Sequence, residues 1–178
     1  MEVIKTKLKD CVIIKPKIFG DDRGFFLETF QLDRYKKNTS INQAFVQDNH
    51  SRSSKGVLRG LHFQKTRPQG KLVRVVTGKV YDVAVDIRKN SSTFGQWEAV
   101  TLSGENKIQF WVPPGFAHGF LVLSETADFE YKCTDYYDPS DEGCILWNDP
   151  DLNISWPIDN PILSAKDAIA DSLVNLNL

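Results

Sequence analysis

Cysteine is scarce in this chain: Cys11, Cys133 and Cys144 are three among 178 residues, an odd number with no CxxC spacing. Such a set builds neither a disulfide framework nor a four-ligand zinc site, so free thiols in a reducing cytoplasm are expected. Histidine is as sparse, limited to His50, His62 and His118, and no two are separated by a single residue. An excess of charge is missing too, since 22 Lys and Arg against 23 Asp and Glu leave a formal net charge of −1. No overall field then draws the chain to nucleic acid or a membrane, and an anionic ligand must be held by local positive groups. Long apolar runs are also absent. Val3, Ile4, Val12, Ile13 and Ile14 are interrupted by Lys5, Lys7, Lys9, Asp10 and Lys15, too short for a signal peptide, and no stretch approaches a membrane-spanning length. With no repeat, low-complexity tract or long linker, residues 1–178 read as one domain, large enough for a real core.

What is present is a succession of short apolar or alternating runs. They cover residues 11–19, 24–30, 44–49, 57–63, 71–76, 79–88, 97–102, 108–112, 119–123 and 129–137, with Gly, Pro, Asn and Ser clusters between them. Length, β-branched and aromatic content and the turn residues predict strands, and the class is all-β. About ten strands suit a closed barrel or a double-sheet jelly roll with an interior cavity. Helical pattern is confined to 32–37 and to a tail segment in which Ser164 caps a helix from Ala165 to about Leu173. The polar stretch 36–43 reads as a floppy loop. In the run 79–88, alternation puts Tyr81, Val83, Val85 and Ile87 on one face and Val80, Asp82, Ala84 and Asp86 on the other. Parity alone leaves open whether Asp82 faces solvent or a polar partner.

His62 lies in the apolar run Val57–Gln64, where a lone histidine is more often a hydrogen-bonded core residue than a catalyst. His118 closes Pro113-Pro114-Gly115-Phe116-Ala117-His118, which is similar to the P-x-G-x-x-H element of the cupin β-barrels. The first cupin metal motif, of H-x-H type, has no counterpart, because Phe63 and Gln64 follow His62. A metal centre built on two or three imidazoles is therefore not expected, and the reading turns to acid–base chemistry.

A longer resemblance covers residues 3 to about 170. The segments 19–26 (FGDDRGFF), 45–51 (FVQDNHS), 57–64 (VLRGLHFQ), 69–74 (QGKLVR), 82–88 (DVAVDIR), 114–120 (PGFAHGF), 131–137 (YKCTDYY) and 163–167 (LSAKD) occur in the order found in the dTDP-4-dehydrorhamnose 3,5-epimerase family. The chain resembles that family, which implies a cupin-like jelly-roll barrel with short peripheral helices and no cofactor or metal. The implied reaction converts dTDP-4-keto-6-deoxy-D-glucose to dTDP-4-keto-L-rhamnose, inverting carbons 3 and 5 on the way to the dTDP-L-rhamnose used in cell-surface polysaccharide. The alternative within this fold is a single-carbon epimerase of a related nucleotide-linked 4-keto sugar.

The resemblance implies roles residue by residue. His62 is the base, oriented by Asp167, which could otherwise be no more than a favourable first-turn charge of its helix. Tyr131 is the acid, where a buried tyrosine could on its own only satisfy a neighbour. Lys71 stands near the ketone oxygen, with Asp82 able to pair with it; by composition it would be a surface lysine. Arg59, His118 and Lys166 correspond to contacts with the diphosphate or sugar, and Arg23, Glu28, Gln47, Asn49 and Glu142 to further ligand contacts. Tyr137 corresponds to a platform for the thymine. Strict alternation separates Arg59 and His62 onto opposite faces, so Gly60 is expected to bulge the strand. The family resemblance further implies a homodimer in which Arg23 and Glu28 reach the neighbouring site. Two other classes compete: a metal-dependent cupin oxygenase, weakened by the missing H-x-H, and a non-catalytic sugar-nucleotide-binding barrel.

Overall fold

The structure is a computed structural model that describes residues 1–39 and 41–176. The chain forms β1 (Glu2–Lys5), β2 (Val12–Lys15), β3 (Ile18–Asp21), β4 (Gly24–Leu27), helix α1 (Leu32–Asn38), β5 (Gln47–Ser54), β6 (Leu58–Gln64) and β7 (Lys71–Thr77). It continues through β8 (Lys79–Asp86), β9 (Trp97–Ser103), β10 (Gln109–Val112), β11 (Phe116–Val122), β12 (Thr126–Cys133), β13 (Glu142–Cys144) and helix α2 (Ala165–Ala168). A short 3-10 turn spans Leu173–Asn175. Two sheets dominate, ordered β1-β2-β10-β7-β12-β5 and β13-β6-β11-β8-β9, with antiparallel pairing between their strands. This is the double-sheet jelly roll of a cupin, with two helices at its edge. A separate hairpin, β3–β4, stands outside both sheets.

Alternation decides what each sheet buries. Val73 and Val75 of β7, Val80 and Ala84 of β8, Phe120 of β11 and Phe129 of β12 pack together between the sheets. The other face of β8, with Val83 and Val85, packs with Leu61, Ile145, Leu152, Ile154 and Leu173 under the C-terminal segment. Burial on both faces explains why both alternating sets of this run carry apolar residues, each fully buried aliphatic or aromatic side chain being worth about 1.5–3 kcal/mol. A third cluster joins Val12, Ile14, Leu72 and Trp111 to Tyr35 and Ile41 on the outside of the six-stranded sheet.

The structure departs from the sequence reading in three places. The helix after Ser164 ends at Ala168 rather than near Leu173. Beyond it, the Leu146 amide donates to the Asp171 carbonyl at 2.9 Å and the Leu173 amide to Asp149 at 2.6 Å, partners that a continuing helix would forfeit. The stretch 36–43 is helical as far as Asn38 and anchors Ile41 in the third cluster; Ser40 lies outside the described residues. Strands β1 and β13, four and three residues long, lie outside the runs that the sequence marks as strands.

Candidate active site

A cavity of about 360 Å³ opens between the two sheets at one end of the barrel. Three side chains from β5 enter it, Gln47, Asn49 and Ser51, at alternating positions that share one strand face. Lys71 of β7 and Phe129 and Tyr131 of β12 complete that wall, and Arg59, His62, His118, Phe120 and Glu142 come from the facing sheet. Lys166 and Tyr137 stand at the mouth.

That Arg59 and His62 line one cavity depends on a break in register. His62 pairs with His118 and Arg59 with Phe120, so Gly60 and Leu61 oppose the single residue Gly119. The extra residue is a β-bulge, and it returns the two side chains to the same face. Gly60 has φ +128°, and a Cβ there would lie 2.5 Å from the Gly119 Cα, so neither the backbone angle nor the close approach leaves room for a side chain. Arg59 donates from Nε to the Ser53 hydroxyl at 2.9 Å, which aims its guanidinium at the mouth.

His62 Nε2 lies 2.7 Å from Asp167 Oδ1, with the histidine 22% and the aspartate 2% exposed. Burial alone would raise the Asp167 carboxyl, but the hydrogen bond and charge of His62, together with Ser164 and the Gly60 amide, hold it below the usual range. The Ser164 hydroxyl also accepts from the Asp167 amide at 3.2 Å, so the helix cap anchors the dyad. Both expectations for Asp167, helix-start charge and histidine partner, describe the same residue.

Tyr131 faces His62 from the opposite sheet. Burial pushes its hydroxyl up to about 12, so it keeps its proton at neutral pH. Beneath it, Phe129 stacks on Phe120 with centroids 4.2 Å apart, forming an apolar floor. Burial moves the Lys71 ammonium downward, an effect that Cys133, Glu142 and Asp82 only partly offset. Asp82 does not form the ion pair with Lys71 that the sequence suggests. Both its carboxylate oxygens lie 3.0 Å from His118 Nε2, because the pairing of β8 with β11 brings the two together inside the barrel. Parity leaves Asp82 undecided; it is fully buried, and burial raises its carboxyl.

At the mouth, Glu142 accepts from Lys166 Nζ at 2.5 Å and from the Tyr137 hydroxyl at 3.3 Å, while the Tyr137 amide donates to Gln47 Oε1 at 2.9 Å. Two expected ligand contacts lie elsewhere. Arg23, in the turn between β3 and β4, forms an exposed ion pair with Asp21, and Glu28 pairs with Arg34 at 2.7 Å. Neither lines the cavity of its own chain. Ser51, Gln64, Gln69 and Cys144 adjoin the site without being expected from the sequence. Ser51 follows from the alternation that places Gln47 and Asn49. For Cys144 the sequence holds no signal, because β13 sets it directly opposite His62 by pairing alone. Cys144, His62 and Asp167 bring potential ligand atoms within 4.8 Å of one another.

Comparison with known proteins points to one family, whose structural relatives include a 3'-monoepimerase from Streptomyces bikiniensis at a TM-score of 0.88 and 33% identity, covering 95% of this chain and 86% of that one. The family model described as dTDP-4-dehydrorhamnose 3,5-epimerase matches residues 5–175. The chain is similar to the dTDP-4-dehydrorhamnose 3,5-epimerase of Salmonella typhimurium, 58% identical over 175 residues covering 97% of this chain and 96% of that protein. Among solved structures it resembles the dTDP-6-deoxy-D-glucose-3,5-epimerase of Legionella pneumophila in complex with dTDP-4-keto-L-rhamnose. That match has a TM-score of 0.96 and 58% identity, covering 99% of this chain and 94% of the other. A Bacillus anthracis dTDP-4-dehydrorhamnose 3,5-epimerase with TDP and pyrophosphate bound matches at a TM-score of 0.93 and 45% identity, covering 96% and 98% of the two chains. No helix among the described residues is long and apolar enough to cross a membrane.

Proposed function

The chain belongs to the dTDP-4-dehydrorhamnose 3,5-epimerase family and is an epimerase of that activity, and from this premise we propose that it converts dTDP-4-keto-6-deoxy-D-glucose to dTDP-4-keto-L-rhamnose with His62 as base and Tyr131 as acid. The observation that carries the assignment is that these two side chains stand on facing sheets across one cavity. The C4 ketone acidifies the protons on carbons 3 and 5. Inversion at each carbon needs a proton taken from one face of the sugar and another delivered to the opposite face, which two groups on opposed walls can do.

The individual steps follow from the electrostatics. Asp167 holds His62 by Nε2, leaving Nδ1 as the nitrogen that accepts the carbon-bound proton and stabilising the imidazolium that results. The enolate oxygen that develops finds the Lys71 ammonium, which burial has left without close compensation; a donor of this kind is worth roughly 10²- to 10³-fold. Tyr131 then protonates the carbon from the other wall, and a positioned acid or base contributes about 10²- to 10⁴-fold. Asp82 acts behind His118, fixing its ring. Arg59 and Lys166 supply the local positive groups for the diphosphate that a chain of net charge −1 otherwise lacks, and His118 is a further contact. Gln47, Asn49 and Glu142 hold polar edges of the ligand, and Tyr137, half-exposed at the mouth, offers its ring to the thymine.

Arg23 and Glu28 join the ligand contacts through a homodimer. The β3–β4 hairpin that carries Arg23 exposes Phe19, Phe25 and Phe26, a surface suited to burial against a second copy. The three free thiols accord with a cytoplasmic enzyme. The reaction is tested by incubating chelator-treated protein with the 4-keto sugar nucleotide in D₂O and following carbons 3 and 5 by NMR. Deuterium at both positions, lost in His62→Ala, is expected. Label at one carbon alone would redefine the chain as a monoepimerase, and none at either would refute the assignment.

A further inference from the structure

Cys144 has no part in the acid–base scheme, yet it adjoins the centre of it. In the pairing of β13 with β6 it is the residue opposite His62. Its Sγ lies 3.7 Å from Asp167 Oδ1, the same oxygen that His62 Nε2 approaches at 2.7 Å, and its other contact is the Ile145 carbonyl at 3.6 Å. Burial first, then the neighbouring Asp167, pushes the thiol up to about 12. A sulfur so seldom ionised is a poor nucleophile and a poor redox sensor. It is a soft ligand waiting for an ion strong enough to displace its proton.

We propose that His62, Cys144 and Asp167 form a binding site for a thiophilic divalent cation of the zinc and cadmium class, and that an ion held there stops the epimerisation. Only the second half rests on His62 being the base. The donor set of imidazole, thiolate and carboxylate suits zinc, and all three ligand atoms lie within 4.8 Å of one another. Bond lengths of about 2.0–2.3 Å to a tetrahedral zinc place its ligand atoms roughly 3.3–3.7 Å apart. The sulfur and the carboxylate oxygen already meet that spacing, the histidine–aspartate contact needs to open by about half an ångström, and the sulfur and imidazole, within 4.8 Å of one another, would be drawn to it by the ion. Ser164 and the Gly60 amide hold the carboxylate from behind, the kind of support that orients a metal ligand.

Inhibition follows from the proton count. The ion takes the Nε2 lone pair, the ring proton moves to Nδ1, and the thiol proton leaves to solvent. Neutral His62 then has no lone pair facing the sugar, and nothing is oxidised or reduced.

The test uses the full chain, stripped with chelator and titrated with Cd²⁺, reading the ultraviolet charge-transfer band of a cadmium–thiolate bond together with turnover. One equivalent should develop the band and abolish turnover. Cys144→Ser should lose the band and need at least about tenfold more Zn²⁺ for half-inhibition, since even an outer partner of a metal site is worth about 10- to 100-fold in affinity. Its metal-free turnover should persist, which also shows that the variant folds. Absence of the band in the wild type, or a band that survives in Cys144→Ser and so belongs to Cys11 or Cys133, overturns the site and leaves the base assignment untouched. A saturated band with undiminished turnover overturns the inhibition and, with it, His62 as the base.

Discussion

Of the three histidine–aspartate pairs among the described residues, His50–Asp128, His62–Asp167 and His118–Asp82, the last two have their histidines in the cavity wall, and their surroundings differ in a way that separates their roles. In the first of these two, His62 is 22% exposed toward the cavity, and its partner Asp167 also draws on Ser164 and the Gly60 amide, so the carboxylate stays acidic despite burial. In the second, His118 is 7% exposed and stacks beside Phe129 with centroids 6.1 Å apart, while Asp82 depends on His118 with the more distant charge of Lys71, and burial raises its carboxyl. The same two residue types thus make one pair that can exchange protons with a ligand and another that holds its ring in place. What distinguishes them is the number of donors around the carboxylate and the access of the imidazole, not the pair itself.

The comparison predicts a graded series of effects. His62→Ala should reduce kcat by about 10²- to 10⁴-fold with KM little changed, the size of a lost general base; His118→Ala should act mainly through KM, as loss of a ligand contact. Steady-state kinetics of the two variants side by side checks this, and equal losses of kcat would erase the distinction. Asp167→Asn should lower kcat by about 10²-fold or more, since the amide can stabilise no imidazolium.

The same substitution sharpens the contrast in stability. Asp167 is held below the ~3.9 of a free aspartate, so its ionised form stabilises the fold above that pH, and the contribution disappears as pH falls through the lower folded value. Urea midpoints of Asp167→Asn should therefore fall below wild type at pH 7, with the gap closing in acid. Gly60→Ala should cost about 1–3 kcal/mol from the backbone angle alone, with further loss from the collision with Gly119. If the bulge is what joins Arg59 to His62, turnover should fall more than the urea midpoint explains. The smallest effect is expected for Asp82→Asn. Its ionised form is already opposed by burial, and an isosteric amide still accepts from His118, so its urea midpoint at pH 7 should move less than that of Asp167→Asn.

Several elements of this site are legible in the residues alone. The run 79–88 divides into the two faces that its alternation predicts, because alternation along a strand is a local property. The bulge at Gly60 is expected only because the family resemblance implies one site for Arg59 and His62, which strict alternation separates; the extra residue resolves that conflict. The tail helix starts at Ser164 as its cap predicts but stops short of Leu173, since a cap is local whereas the pull of Asp149 and Ile145 on the chain beyond Ala168 is not. Arg23 and Glu28, for which the family resemblance implies ligand contacts, do not line the cavity within one chain.

By itself the sequence determined the class of the fold, the division of the run 79–88 into two faces and the ordered motifs that assign the family, because each depends on neighbours along the chain. The tertiary structure decided which partners the polar groups take. His62 meets Asp167 across 105 positions, Asp82 turns to His118 rather than Lys71, and Cys144 arrives beside both members of the dyad through three residues of strand. Those choices follow from sheet order and register, which are settled by burying the whole apolar set at once, and no local stretch of sequence contains that information.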